Sequence, residues 1–145
     1  MFNPSREQAR DFFFGTWRKY RAGAPLAGAE ALALDVILLH PEYHALLGDP
    51  GRARDRDFQD ESNPFLHLSL HVALEEQLSI DQPPGVARLF DRLLAAKRDR
   101  HDALHCAIEC LAETVWRAQR DGRAPDGDAY LRCLLSAGSG ASRAG

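Results

Sequence analysis

Every histidine of this chain has a second histidine four residues away: His40 with His44, His67 with His71, and His101 with His105. Six histidines scattered over 145 residues would give roughly 0.2 such pairs by chance. The spacing has meaning on a helix, where residues four apart sit one above the other on the same face. Two pairs continue at the same interval into a carboxylate, so that His67-x3-His71-x3-Glu75 and His101-x3-His105-x3-Glu109 are one nine-residue template written twice. Imidazole with carboxylate is the ligand set of zinc, iron, copper and nickel sites. The chain is thus constrained toward helices that carry histidine faces.

The remaining pattern agrees. Asn3-Pro4 is an N-cap with proline at the first helical position, and it predicts a helix to about Tyr20. Phe13, Trp17 and Tyr20 fall on one face of it. After the break at Gly23 to Pro25, Ala27 to about Leu39 is apolar nearly all round and is expected at the centre of the domain. Pro41 cannot comfortably continue that helix, so His40 becomes a hinge, with a short helix from Pro41 through Leu47. Residues 48 to 62 read as the longest loop. Asn63-Pro64 repeats the opening at residue 3 and starts a helix to about Leu78. Pro83-Pro84-Gly85 is a rigid connection, in a polar segment that suits either a structural turn or a cover for a pocket. Helices follow over Val86 to Lys97, Asp99 to Arg120 and Gly127 to Leu135. No segment alternates like a strand. The expected fold is all-α: a single-domain helical bundle over residues 1–136, with two or three long core helices and several short ones, and a disordered tail over 137–145.

Composition excludes several classes. A net charge of -3 leaves no basic stripe for nucleic acid. Arg52, Arg54 and Arg56 cluster, but Asp55 and Asp57 interleave with them. No stretch approaches the length of a membrane span. The opening residues lack the basic and apolar runs of a secretory signal, and three cysteines are an odd number. Reduced thiols in a cytoplasmic protein are therefore expected.

On a helical wheel Leu70, Leu74 and Leu78 lie beside His67 and His71. In the long helix His101, Leu104, His105, Ile108, Ala112, Val115 and Trp116 share one face, with Glu109 at its margin. Both pairs are expected to look inward, where a cation would satisfy several polar groups at once. Cys106 and Cys110 fall roughly opposite, toward packing against another helix or partial exposure. Phe12, Phe13, Phe14, Trp17 and Tyr20 read chiefly as core, with part of the cluster open to a protein partner or a second copy of the chain.

Several stretches carry a family resemblance: Phe2-Asn3-Pro4-Ser5 with its Phe-rich helix, His40-Pro41-Glu42-Tyr43-His44, Asn63-Pro64-Phe65-Leu66-His67 through His71, Glu76 through Gly85, and His101 to Glu109. By these the chain resembles a bacterial (proteobacterial) family of small proteins classed as a domain of unknown function. The resemblance spans about residues 1 to 135 and implies no particular chemistry. A looser similarity is to hemerythrin-like and DinB-like bundles, which hold metal with histidines and carboxylates. The Glu-x-x-His repeat of ferritin-like sites and the His-Glu-x-x-His of zinc proteases are both absent.

The reading that follows is a metal-binding helical bundle with a mono- or dinuclear site for iron or zinc, suited to redox or dioxygen and peroxide chemistry. Its candidate ligands are His40, His44, His67, His71, Glu75, His101, His105 and Glu109, with the glutamates bridging the ions or orienting an imidazole. Two alternatives stand beside it. One is a non-catalytic interaction module with structural histidines. The other is a metal-independent enzyme using histidine and glutamate as acid and base.

Overall fold

The structure, a computed structural model, describes residues 6–51 and 63–139. Its elements are α1 (Arg6–Arg21), α2 (Ala29–Leu38), a 3-10 turn (Pro41–Tyr43), α3 (His44–Leu47), α4 (Pro64–Ile80), α5 (Val86–Ala96), α6 (Arg100–Asp121) and α7 (Gly127–Gly138). The protein is an all-α helical bundle, and no strand occurs among the described residues. The Asn3-Pro4 opening and the arginine cluster at 52–56 lie outside the described residues. The second Asn-Pro opening is seen directly. The Asn63 side chain accepts from the backbone N–H of Phe65 (2.9 Å) and of Leu66 (3.3 Å), which caps α4.

The residues group into two compact units, Met1–Ala73 and Leu74–Gly145, with the boundary inside α4. In the first unit α1 packs on α2 and α3, and Phe65, Leu68 and Val72 of α4 join the same core. Phe13, Phe14 and Trp17 are buried there, while Tyr20 is exposed. The buried Thr16 hydroxyl returns to the carbonyl of Phe12 at 2.9 Å, so this polar group costs the core little.

The expected central burial of α2 is corrected. Ala33, Val36 and Ile37 are buried, but Leu38 and Leu39 are 44% and 45% exposed. A helix apolar on all sides carries no signal for which stripe faces the core. The chain also leaves the helix at Leu38, which turns the last two leucines away.

In the second unit α5, α6 and α7 pack on one another. Asp99 and Asp126 cap α6 and α7, accepting from Asp102 N–H (2.8 Å) and Ala129 N–H (3.0 Å). The segment before α5 proves to be a cap as well. The Asp81 carboxylate accepts from the N–H of Ala87 at 3.0 Å and of Gly85 at 3.2 Å, tying the turn to the start of the helix. α7 runs through Gly138, two residues into the expected tail, and 140–145 lie outside the described residues. A Cβ on Gly138 would stand 3.3 Å from the Leu93 backbone nitrogen, which explains a glycine at this close approach of α7 to α5.

The inward face of α6 is also corrected. Ala103, Leu104, Ala107, Ile108, Cys110, Leu111 and Thr114 are buried, and Trp116 is 57% exposed. The histidines sit at the edge of this face, half-buried. The face is turned toward Cys110 because α7 packs there. The expectation of three reduced thiols is overturned for two of them: Cys110 and Cys133 form a disulfide that joins α6 to α7, with Cα atoms 5.8 Å apart. Cys106 is the free thiol.

The phenol of Tyr130 is buried and donates to Gln77 Oε1 at 2.8 Å. Burial pushes its pKa well above the ordinary 10.0. A raised pKa in the folded state means that the unfolded chain ionises first. The contribution is therefore present below pH 10 and is lost as pH rises above it. Tyr130→Phe should cost about 1 kcal/mol at neutral pH, because Gln77 loses its donor. It should also shallow the alkaline fall in stability, as read from urea melts at a series of pH values.

Candidate metal centre

The centre begins at the end of α2. Pro41 keeps His40 out of the helical region, and its backbone sits at φ -127° and ψ 65°. Held in that turn, the ring folds back and its Nδ1 lies 2.8 Å from the carbonyl of Val36. A carbonyl only accepts, so Nδ1 carries a proton, and in the neutral form of the ring Nε2 is left with a lone pair. Four residues later a second imidazole does the same for the next carbonyl, with His44 Nε2 donating to Ile37 O at 2.9 Å.

The other two rings come from α4. His67 and His71 stand four residues apart, with ring centroids 4.8 Å from each other and 5.0 and 4.5 Å from the ring of His40. The nitrogens of His40, His67 and His71 that can bind a metal all lie within 4.8 Å of one another. His40 and His71 are buried, and His67 is half-buried. His40 Nε2 and His67 Nε2 are 3.1 Å apart. That is close to the edge of about 3.3 Å between two nitrogens bound tetrahedrally to one ion at about 2.0 Å. With His40 neutral and its proton at Nδ1, the Nε2–H of His67 is the donor in this contact. A metal ion would replace that proton and keep both rings in place. This buried cluster of imidazoles is a group that can hold a metal ion.

Tyr43, which is not among the candidate ligands, belongs to the cluster. Its ring stacks on His40 at 5.6 Å with 7° between planes, and meets the ring of His67 at 6.3 Å. The cause is the 3-10 turn, in which residues three apart eclipse each other. Proline at 41 was the available signal, since it made an ordinary α-helical wheel unsafe there. Burial, with the Glu42 carboxylate beside it, pushes the Tyr43 phenol up. It therefore stays a hydroxyl donor at neutral pH.

The other nominated residues stand differently. His44 is not brought to the cluster: its ring stacks on Trp17 at 4.4 Å, and its Nε2 is used by Ile37. In the second unit His101 and His105 pair with centroids 4.1 Å apart. Glu75 is held by Arg100, with oxygens 2.8 and 3.1 Å from the guanidinium. Glu109 is exposed. Of the two carboxylates of the repeated template, Glu75 is thus engaged by Arg100 and Glu109 faces solvent.

No helix among the described residues is long and apolar enough to cross a membrane. No curated protein and no solved structure matches the chain. One family model does, over residues 5–136, and its description is "Domain of unknown function (DUF1841)". A match over that much of the chain settles its kinship: the protein is a member of the DUF1841 family.

Proposed function

We propose that this protein binds one divalent transition-metal ion, zinc or iron, through His40, His67 and His71. The observation that carries the reading is the 3.1 Å approach of His40 Nε2 to His67 Nε2, with the opposite nitrogen of His40 spent on Val36 O. Metal-binding imidazoles commonly donate their far N–H to a carbonyl, which fixes tautomer and orientation. A single ion is favoured because a dinuclear centre calls for bridging carboxylates, and Glu75 is held by Arg100 while Glu109 is exposed.

Three neutral imidazoles leave the charge of the ion uncompensated and at least one position open. Closed structural zinc sites have four protein ligands, whereas open sites bind water or a substrate. The Tyr43 hydroxyl, on the ring stacked against His40, would donate to a ligand in the open position. With iron such a site suits dioxygen or peroxide, and with zinc it suits an activated water.

Cobalt(II) tests the coordination directly. Intense visible bands are expected on adding one equivalent to the metal-free protein, as for a four-coordinate ion. They should vanish in His67→Ala and shift slightly in Tyr43→Phe. Weak bands like those of aqueous cobalt in the wild type would refute the site. The same titration of His101→Ala and His105→Ala decides whether the second template supplies a ligand.

A further inference from the structure

The first unit holds a second cluster of polar groups that the metal reading does not use. A cleft of about 630 Å³ is lined by Phe14, Trp17, Arg18, Arg21, His44 and Leu47, among others. Its floor is apolar, since Phe14, Trp17 and Leu47 are buried. Trp17 is 5% exposed, and its indole N–H has no hydrogen-bond partner among the described residues. A buried donor left unsatisfied is destabilising unless something accepts from it. Arg18 and Arg21 are three apart on α1 and so share a side of the helix. Both are exposed, and neither forms an ion pair among the described residues. The guanidinium of Arg21 lies 6.0 Å over the ring of Trp17. Among the described residues, no acidic side chain lines the cleft. The larger set of arginines beside Cys110 and Cys133 differs in this respect, because Glu113, Asp121 and Asp126 line that cleft with them.

We propose that the Trp17–His44 cleft is a binding site for a small organic anion with a flat apolar body. The carboxylate or phosphate of such a molecule would accept from the Trp17 indole and pair with Arg18 and Arg21, which offer planar, forked donors. Its body would lie against the stacked Trp17 and His44 rings, 4.4 Å apart. The proposal stands apart from the metal site, since none of these side chains is a ligand there.

The test uses the indole N–H signals of the 15N-labelled protein, of which there are two, from Trp17 and Trp116. Trp116→Phe, at an exposed position, assigns them. Benzoate is the probe, with benzyl alcohol supplying the body without the charge and inorganic phosphate the charge without the body. Benzoate should move the Trp17 signal saturably and leave Trp116 unmoved. The two controls should bind about tenfold more weakly or worse. Arg18→Ala/Arg21→Ala, a surface change that spares the core, should weaken benzoate by a similar factor. A Trp17 signal that does not saturate, equal binding by the double variant, or phosphate binding as tightly as benzoate would each overturn the proposal.

Discussion

Zinc or ferrous iron added at about a thousand times its dissociation constant should raise the melting temperature of the metal-free protein by about 10–15 °C, and a chelator should reverse the gain. The size follows from linkage. A ligand that binds only the folded state at that excess contributes about 4 kcal/mol, and each kcal/mol moves a domain of this size by roughly 2–4 °C. The folded state alone presents the site, because His40 reaches it through the Pro41 turn and the other two histidines come from α4. His67→Ala should keep the fold, since that ring is only half-buried, and lose nearly all of the gain. His44→Ala serves as the control. Its ring caps Ile37 O and stacks on Trp17, so its loss should lower the melting temperature with and without metal while leaving the metal-induced gain intact. Calorimetry of the three proteins, with and without metal, separates these effects.

Reduction of the Cys110–Cys133 bond should lower stability by about 3 kcal/mol, or about 10 °C in melting temperature. The bond closes a loop with a sequence separation of 23, and a loop of that length loses about 3 kcal/mol of closure entropy in the unfolded chain. Because Cys110 is buried against α7, Cys110→Ala/Cys133→Ala should show the same loss without any reductant. Melts with and without a phosphine reductant give the comparison. An unchanged melting temperature on verified reduction would contradict this and mean that the reduced unfolded chain already keeps these two segments close.

The elements that could be read from sequence were those with a local cause. Asn63 before Pro64 marked the start of α4 because the cap is made within three residues, by the N–H groups of Phe65 and Leu66. Pro41 marked the end of α2 for the same kind of reason. The His67/His71 pair was legible because both residues lie on one uninterrupted helix. The pair at His40 and His44 has identical spacing and a different outcome. A 3-10 turn separates the two, so the rings diverge: one toward α4, the other toward Trp17. Tyr43 entered the cluster through that same turn.

What sequence did not reveal were matters of helix rotation. Trp116 was placed on the inward face by a wheel centred on the histidines, but α7 packs on the side of α6 that carries Cys110, which leaves Trp116 exposed. The glutamates show the same thing at the site. Template spacing placed Glu75 over His71, but Arg100 lies within 2.8 Å of that carboxylate and holds it. Spacing identifies which residues share a helix face. The partner that fills the face is set by residues far away in the chain.

Metal binding by His40 and His67 is tested most directly by the metal content of untagged protein purified without chelator, measured by elemental analysis beside His40→Ala and His67→Ala. One equivalent of zinc or iron is expected in the wild type and less than a tenth of that in either variant. Wild-type protein that stays metal-free after exposure to both ions, or variants that keep their metal, would contradict it and leave the three imidazoles as hydrogen-bonded members of the core.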